Sequence, residues 1–380
     1  MNADLAIVGG GPAGLATAIA AATRGLAVVV VDKRPLPLDK PCGEGVMPGA
    51  VRALGALGVD VPAWGRTPFV GIRYVDGDVV AEGRFAGEPG WGVRRTALVE
   101  GLVARAARLG ASLRYGVPVR AWRRSGGEVV LETGDDAIRA RLLVGADGLR
   151  SAVRRDAGLD LGARGRRRFG VRRHYALAPW SPFVEVHWTA GTEAYVTPAG
   201  PSRVGVAFLW DARDGDAFAA PGGGVFDRLL ARFPALAERV AGAAPESEVR
   251  GAGPLRRDVR ARHADGVALV GDAGGYLDAL TGEGLTLALE SARALVDVVA
   301  DGRPLADYER AYRRLSRTYY LMTALMLWVA AHPALRHRVV RTLARRPELF
   351  DRMLAINAGE RPISSLGVAG VARLLQGVLH

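Results

Sequence analysis

The first chemistry in the chain lies where an apolar run ends: Leu5-Ala6-Ile7-Val8 leads into Gly9-Gly10-Gly11-Pro12-Ala13-Gly14. Taken as strand, turn and helix, Gly9-x-Gly11-x-x-Gly14 is a cradle for a pyrophosphate. Gly9 permits a tight turn, Gly11 lets phosphate approach the backbone, and Gly14 lets helix and strand pack closely. Pro12 and Ala13 open the helix, whose free N–H groups and positive dipole end face the phosphates. Asp32 closes the next apolar run, where its carboxylate can accept from ribose hydroxyls. The same charge repels a 2′-phosphate, so the expected dinucleotide is FAD or NAD rather than NADP. Lys33 and Arg34 follow it and complete this group of candidate cofactor residues.

Two later fragments decide between FAD and NAD. Leu143-Val144-Gly145-Ala146-Asp147-Gly148 is followed by Ser151 and Arg154, and Leu269-Val270-Gly271-Asp272-Ala273-Gly274 leads to Thr281-Gly282-Glu283-Gly284. In this order the three fragments resemble the large flavoprotein family that includes aromatic hydroxylases and geranylgeranyl reductases. The resemblance runs over residues 1 to 300 or so. It implies bound FAD, with Asp272 beside Gly271 holding the ribityl chain and Arg95 reaching the phosphates or ribityl from its helix. A cation suits a pyrophosphate; the plainer reading of Arg95 is a solvated helix-end charge. Asp147 either organises its own turn or reaches a nicotinamide cofactor. Gly282 and Gly284, with Leu285 behind them, would set helix N-terminal N–H groups at the flavin N1–C2=O edge and stabilise reduced flavin. Glu283 reads as a proton donor or as an N-terminal helix charge. No second Gly-x-Gly-x-x-Gly follows a strand, so NAD(P)H, the expected external electron donor, must reach the flavin through a shared or transient site.

Lys40-Pro41-Cys42-Gly43-Glu44-Gly45 is a distinctive loop. In the resembled fold this segment runs toward the isoalloxazine ring, which makes Cys42 and Glu44 catalytic candidates, Glu44 for proton transfer. A small buried filler and a loop charge are the alternatives. Further along, Glu185 and His187 share one face of an alternating stretch, Val184, Val186 and Trp188 the other, and Tyr195 lies with Glu193 and Thr197. Such a sheet covers the flavin in the resembled family, so His187 and Tyr195 are candidate catalytic or substrate contacts, against a solvated outer face. The six histidines show no metal-ligand spacing, and no metal is expected.

These residues need a scaffold, and the periodicity supplies one. Helices are predicted over Ala13–Arg24, Thr96–Leu109, Val225 to about Val240 and Leu285–Val299, with buried strands at Leu5–Val8, Ala27–Val31, Leu142–Val144 and Val267–Val270. From Phe169 to Trp210 the period falls to two, and past Pro304 the chain reads as helical to its end. The fold class is α/β: a Rossmann-like FAD-binding domain of the glutathione-reductase type, an antiparallel-sheet substrate domain and a helical C-terminal region. The expected division is 1–70, 95–165 and 255–303 for the first, 71–94 and 166–254 for the second, and 304–380 for the third.

Composition narrows the classes further. The 380 residues are nearly half apolar, enough for a sizeable core. A single cysteine excludes an internal disulfide and fits a reducing, cytoplasmic setting. The glycine motif begins too early to leave space for a cleaved signal peptide. A net charge of +12 suggests nucleic acid at first sight. However, Lys33 and Lys40 are the two lysines, and the remaining cations are arginines scattered singly, as in an Arg-, Ala- and Gly-biased composition. Nucleic acid is not an expected partner. The apolar run Tyr319–Val329 falls short of the roughly 20 residues a membrane span needs. It packs on the body or meets a membrane surface, so the C-terminal helices are candidates for peripheral membrane contact. Oligomeric state is not legible.

The resemblance implies two reactions. The favoured one is a monooxygenase of secondary metabolism that hydroxylates an aromatic or polyketide-like metabolite through a flavin C4a-hydroperoxide, after reduction by NAD(P)H. Arg95-x-x-Leu98, the run from Gly145 to Arg154 and the aromatic residues of the sheet suit it. The alternative is a geranylgeranyl-reductase-like enzyme saturating alkenes of an isoprenoid or lipid. It is suited by the lack of a histidine after Gly271-Asp272-Ala273 and by the apolar C-terminal helices. A redox-inactive flavin-binding protein stands third.

Overall fold

Three parallel strands set the frame of the computed structural model, which describes residues 1–134, 136–214 and 224–367. Asn2–Val8 lies between Val28–Asp32 and Asp136–Gly145 and runs parallel to both. Leu5, Ala6 and Ile7 are fully buried, as a strand covered on both faces requires. Val8 is in register with both Val31 and Gly145, so Gly9, Asp32 and Ala146 sit together where the strands end. The crevice beyond the carboxyl ends of such strands is where open α/β sheets take ligands. Val267–Leu269 and Ser112–Tyr115 extend the parallel pairing on either side. The helices Pro12–Thr23, Arg95–Arg108 and Gly284–Ala300 cover one face through a core including Leu15, Ile19, Leu98, Leu102 and Leu289.

A second sheet has the strand order Arg250–Ala252, Arg168–Ala176, Arg203–Asp211, Thr192–Gly200, Val184–Thr189, Gly71–Asp76, Val79–Arg84. It is antiparallel except where Val184–Thr189 meets Gly71–Asp76 in parallel. That pair joins distant parts of the chain, so no hairpin dictates its direction. One face is covered by the helices Val225–Leu230 and Pro234–Val240. The single helix expected there is two, because Pro234 lacks the N–H a continuing helix needs. A small sheet of Gly45–Val46, Gly90–Val93 and Arg66–Phe69 joins the two larger ones.

The C-terminal region folds as Leu305–Ala330, Pro333–Arg345 and Pro347–Asn357, each later helix restarting at a proline. Arg336 on the second clasps Asp76 of the sheet with both groups buried, at 2.9 and 3.1 Å. Among the described residues, no helix is long and apolar enough to cross a membrane. The helical reading of 368–380 and most of the Gly222-Gly223-Gly224 loop lie outside the described residues.

Candidate active site

The glycine turn is built by close approach. A side chain on Gly14 would stand 1.9 Å from the Gly9 carbonyl oxygen, so helix and turn are already in contact. Gly11 differs: a methyl group there would meet only Lys40 Nζ, at 3.7 Å. The space above Gly11 is open apart from that ammonium. Asp32 is buried and accepts from Gly10 N–H and Arg34 N–H, both at 2.9 Å. Each of its oxygens keeps a lone pair for a hydroxyl. Lys33 points to solvent, and Arg34 Nε lies 3.7 Å from Asp32 Oδ1.

A cavity of about 310 Å³ rises from this cradle. Gly11, Pro12, Ala13, Arg95, Gly271 and Asp272 line its near end, with Gly282, Gly284 and Leu285 at the mouth of the Gly284–Ala300 helix. Burial pushes the Asp272 carboxyl above its usual range, against the pull of Lys40, Arg95 and Arg154. The Lys40 ammonium is lowered, first by burial and then by Arg34. Arg95 Nε is buried without an acceptor, the kind of donor that costs about 1–3 kcal/mol unless a ligand answers it. An N–H cradle, two half-buried cations, an unanswered guanidinium N–H and a carboxylate fit a dinucleotide with a polyol chain. Asp147 lies outside this wall. Its Oδ2 accepts from Ala152 N–H at 2.7 Å, which holds the turn before the Ala152–Asp156 helix. Arg154 ties the middle and late fragments together through the carbonyls of Leu149, at 2.8 Å, and Ala273, at 3.1 Å.

The Cys42 loop forms one side of the cavity. Cys42 Sγ accepts from Arg95 Nη2 at 2.6 Å and from Glu44 N–H at 3.3 Å. Glu44 adopts the left-handed backbone, with φ of 59°, and turns its carboxylate into the protein. There it accepts from Arg94 Nη1 and Arg95 N–H, each at 2.9 Å, and meets His174 Nε2 at 2.6 Å. Burial acts to raise the Glu44 carboxyl, but the His174 and Arg94 contacts outweigh it and hold the group low. His174 is lowered by burial, with Arg94 and Arg172 acting in the same direction, so a neutral ring donates Nε2–H to Glu44. Arg172 in turn pairs with Asp39 at the start of the loop. The loop is thus fastened to the second sheet at two points.

That sheet gives Val184, Val186, Tyr195 and Thr197 to the cavity, and the helices add Met322, Met326, Phe350 and Met353. His187 does not reach it. Its Nε2 lies 3.1 Å from Glu185 Oε2, on the opposite face, where Glu185 also binds Arg73. Alternation within a strand is legible in sequence; which face of one strand matches which of the next depends on register. Tyr195 stands opposite Val186 rather than His187, so the two candidates separate. The sequence reading left out Lys40, although a lysine in an arginine-rich chain was a signal. It gave His174 no role. It also passed over the methionines: Met47, Met322, Met326 and Met353 all line the cavity, leaving Met1 as the exception.

A family model described as an FAD binding domain matches residues 2–302. The chain belongs to that family. This FAD binding domain protein is an FAD-dependent oxidoreductase in the superfamily that spans group A aromatic hydroxylases and geranylgeranyl reductases. It is 30% identical over 345 residues to the menaquinone reductase of Mycolicibacterium smegmatis, covering 84% of this chain and 81% of that one. It is 29% identical to the digeranylgeranylglycerophospholipid reductase of Methanothrix thermoacetophila, over 82% and 83% of the two chains. Among solved structures, a flavoprotein/dehydrogenase from Cytophaga hutchinsonii superposes with a TM-score of 0.85 at 20% identity, over 100% of this chain and 98% of that one. A flavin-dependent brominase superposes with a TM-score of 0.80 at 19% identity, over 100% and 98%. At such identities the superpositions speak for the fold alone.

Proposed function

We propose that this flavoenzyme saturates carbon–carbon double bonds in an isoprenoid or lipid chain. The observation that carries the reading is the cavity lining: four methionines with Phe69, Ile72 and Phe350. Unbranched thioethers adapt to a long, variable apolar chain, and they offer a phenol no hydrogen-bond donor. The curated relatives named above, a menaquinone reductase and a digeranylgeranylglycerophospholipid reductase, support the same choice.

The flavin, when bound and already reduced by NAD(P)H, would supply a hydride for one alkene carbon. The chain's own residues do the rest. Gly11 and the start of the Pro12–Thr23 helix take the pyrophosphate, Asp32 a ribose and Asp272 the ribityl chain, with Lys40 and Arg95 balancing the phosphates. Gly282 and Gly284 direct N–H groups of the helix mouth at the ring. The apolar wall excludes water and orients the alkene. Cys42 gives its thiol proton to the second carbon, and Arg95 balances the sulfur charge left behind. Glu44 and His174 position that loop. A proton from solvent then restores the thiol, and NAD(P)H replaces the electron pair.

Hydroxylation is the second reading, and it has one feature in its favour: Tyr74, Tyr195 and Thr197, each carrying a hydroxyl suited to orienting a phenol, line the same cavity. Anaerobic mixing separates the two. Protein reduced under nitrogen should be reoxidised by a polyprenyl alkene, yielding a product two hydrogens heavier. Reoxidation that requires oxygen, with an oxygen atom in a phenolic product, would reverse the choice.

A further inference from the structure

The Leu305–Ala330 helix has two working sides. One places Met322 and Met326 in the cavity wall. On the side turned outward, the spacing of 310, 314, 317, 321, 325 and 328 draws a single stripe along the helix. Every residue of that stripe is exposed. Its first half is Arg310, Arg314 and Arg317; its second is Leu321, Leu325 and Trp328, each leaving 42–55% of its surface in water. Trp328 rests its ring against His332, with centroids 5.1 Å apart. Arg310 pairs with Asp307 at 2.5 Å, whereas among the described residues neither Arg314 nor Arg317 meets a carboxylate. A cationic half followed by an apolar half on one outward face matches a bilayer edge, where phosphates lie beside acyl chains.

We propose that this stripe docks the enzyme on an anionic lipid surface. Leu321, Leu325 and Trp328 enter the acyl boundary, and Arg310, Arg314 and Arg317 meet lipid phosphates, their alkyl stems lying along the apolar surface. Membrane and cavity then lie on two sides of one helix, so a chain leaving the bilayer has a helix's width to travel. That delivery role rests on reading the cavity as an isoprenoid or lipid site; the docking does not.

The test is co-sedimentation of the FAD-loaded, full-length protein with vesicles of phosphatidylcholine alone or mixed with phosphatidylglycerol. The expected result is binding to the mixed vesicles that weakens as salt is raised. Leu325→Glu/Trp328→Glu should lower partitioning tenfold or more, and Arg314→Glu/Arg317→Glu by about fivefold for each arginine. Both variants should keep their flavin content and circular dichroism. Indifference of the wild type to either vesicle overturns the proposal, as does equal binding by both variants. A wild-type dimer that ignores vesicles and is split by Leu325→Glu/Trp328→Glu overturns it in favour of a second copy of the chain. Vesicle binding without alkene turnover supports the docking surface and rejects the reductase reading, so the two failures are distinct.

Discussion

At Gly11 and Gly14, adding carbon to a glycine should have opposite consequences. Gly11 faces open space, so Gly11→Val is predicted to yield protein that melts near the wild-type apoprotein yet binds no flavin. Gly14 packs on the Gly9 carbonyl, so Gly14→Val should lower folded yield itself, by the several kcal/mol of an overpacked contact, about 3. Flavin absorbance against melting temperature for the pair checks this, and a yellow Gly11→Val protein would refute the role of the turn. Glu283 poses a different problem. It is buried at the mouth of the Gly284–Ala300 helix, bonded to Thr286 at 2.6 Å, and burial lifts its carboxyl to about 7. An acid raised in the folded state costs nothing below its unfolded value of roughly 4.3, destabilises increasingly as pH climbs from there to the folded one, and holds that full cost above it. Glu283→Gln should therefore gain stability near pH 8, on the order of 2 kcal/mol, and gain little near pH 5. Melting curves at the two values decide it. An equal shift at both would mean the carboxyl is not held protonated.

Between elements, the clasp of Arg336 on Asp76 joins the Pro333–Arg345 helix to the second sheet with 8% and 7% of the two side chains exposed. Removing one partner strands the other. Asp76→Ala should cost about 3 kcal/mol, and Asp76→Leu/Arg336→Met should recover most of it. Thermal melts of the single and double variants test this, and a single variant as stable as wild type would mean water already reaches the pair. No sequence pattern announces a contact between residues 260 positions apart. The elements themselves were far more legible. The Gly9–Gly14 turn, the strand ending at Asp32 and the helices from Thr96 and Leu285 stood out because apolar runs and glycines are local signals. The split at Pro234 was equally local and was missed because apolar residues continue through it. The separation of His187 from Tyr195 was not local, since it follows from strand register. The methionine wall was hidden for the same reason, its four members coming from both ends of the chain.

Over the whole molecule, one chamber serves everything. The dinucleotide cradle, the Cys42 loop, the second sheet and the C-terminal helices open onto the same 310 Å³. Early strands, a mid-chain sheet and late helices must all be in place before any of it exists, so the site is a product of the finished fold rather than of one segment. A shared chamber also constrains the order of events. A nicotinamide and an alkene that both need the ring edge cannot occupy it together, and each departing molecule must clear the way for the next. Under the reductase reading, initial rates measured while donor and alkene are varied in turn should give parallel double-reciprocal lines, the signature of substitution. Intersecting lines would mean that the donor reaches the flavin by a route separate from the one the alkene takes.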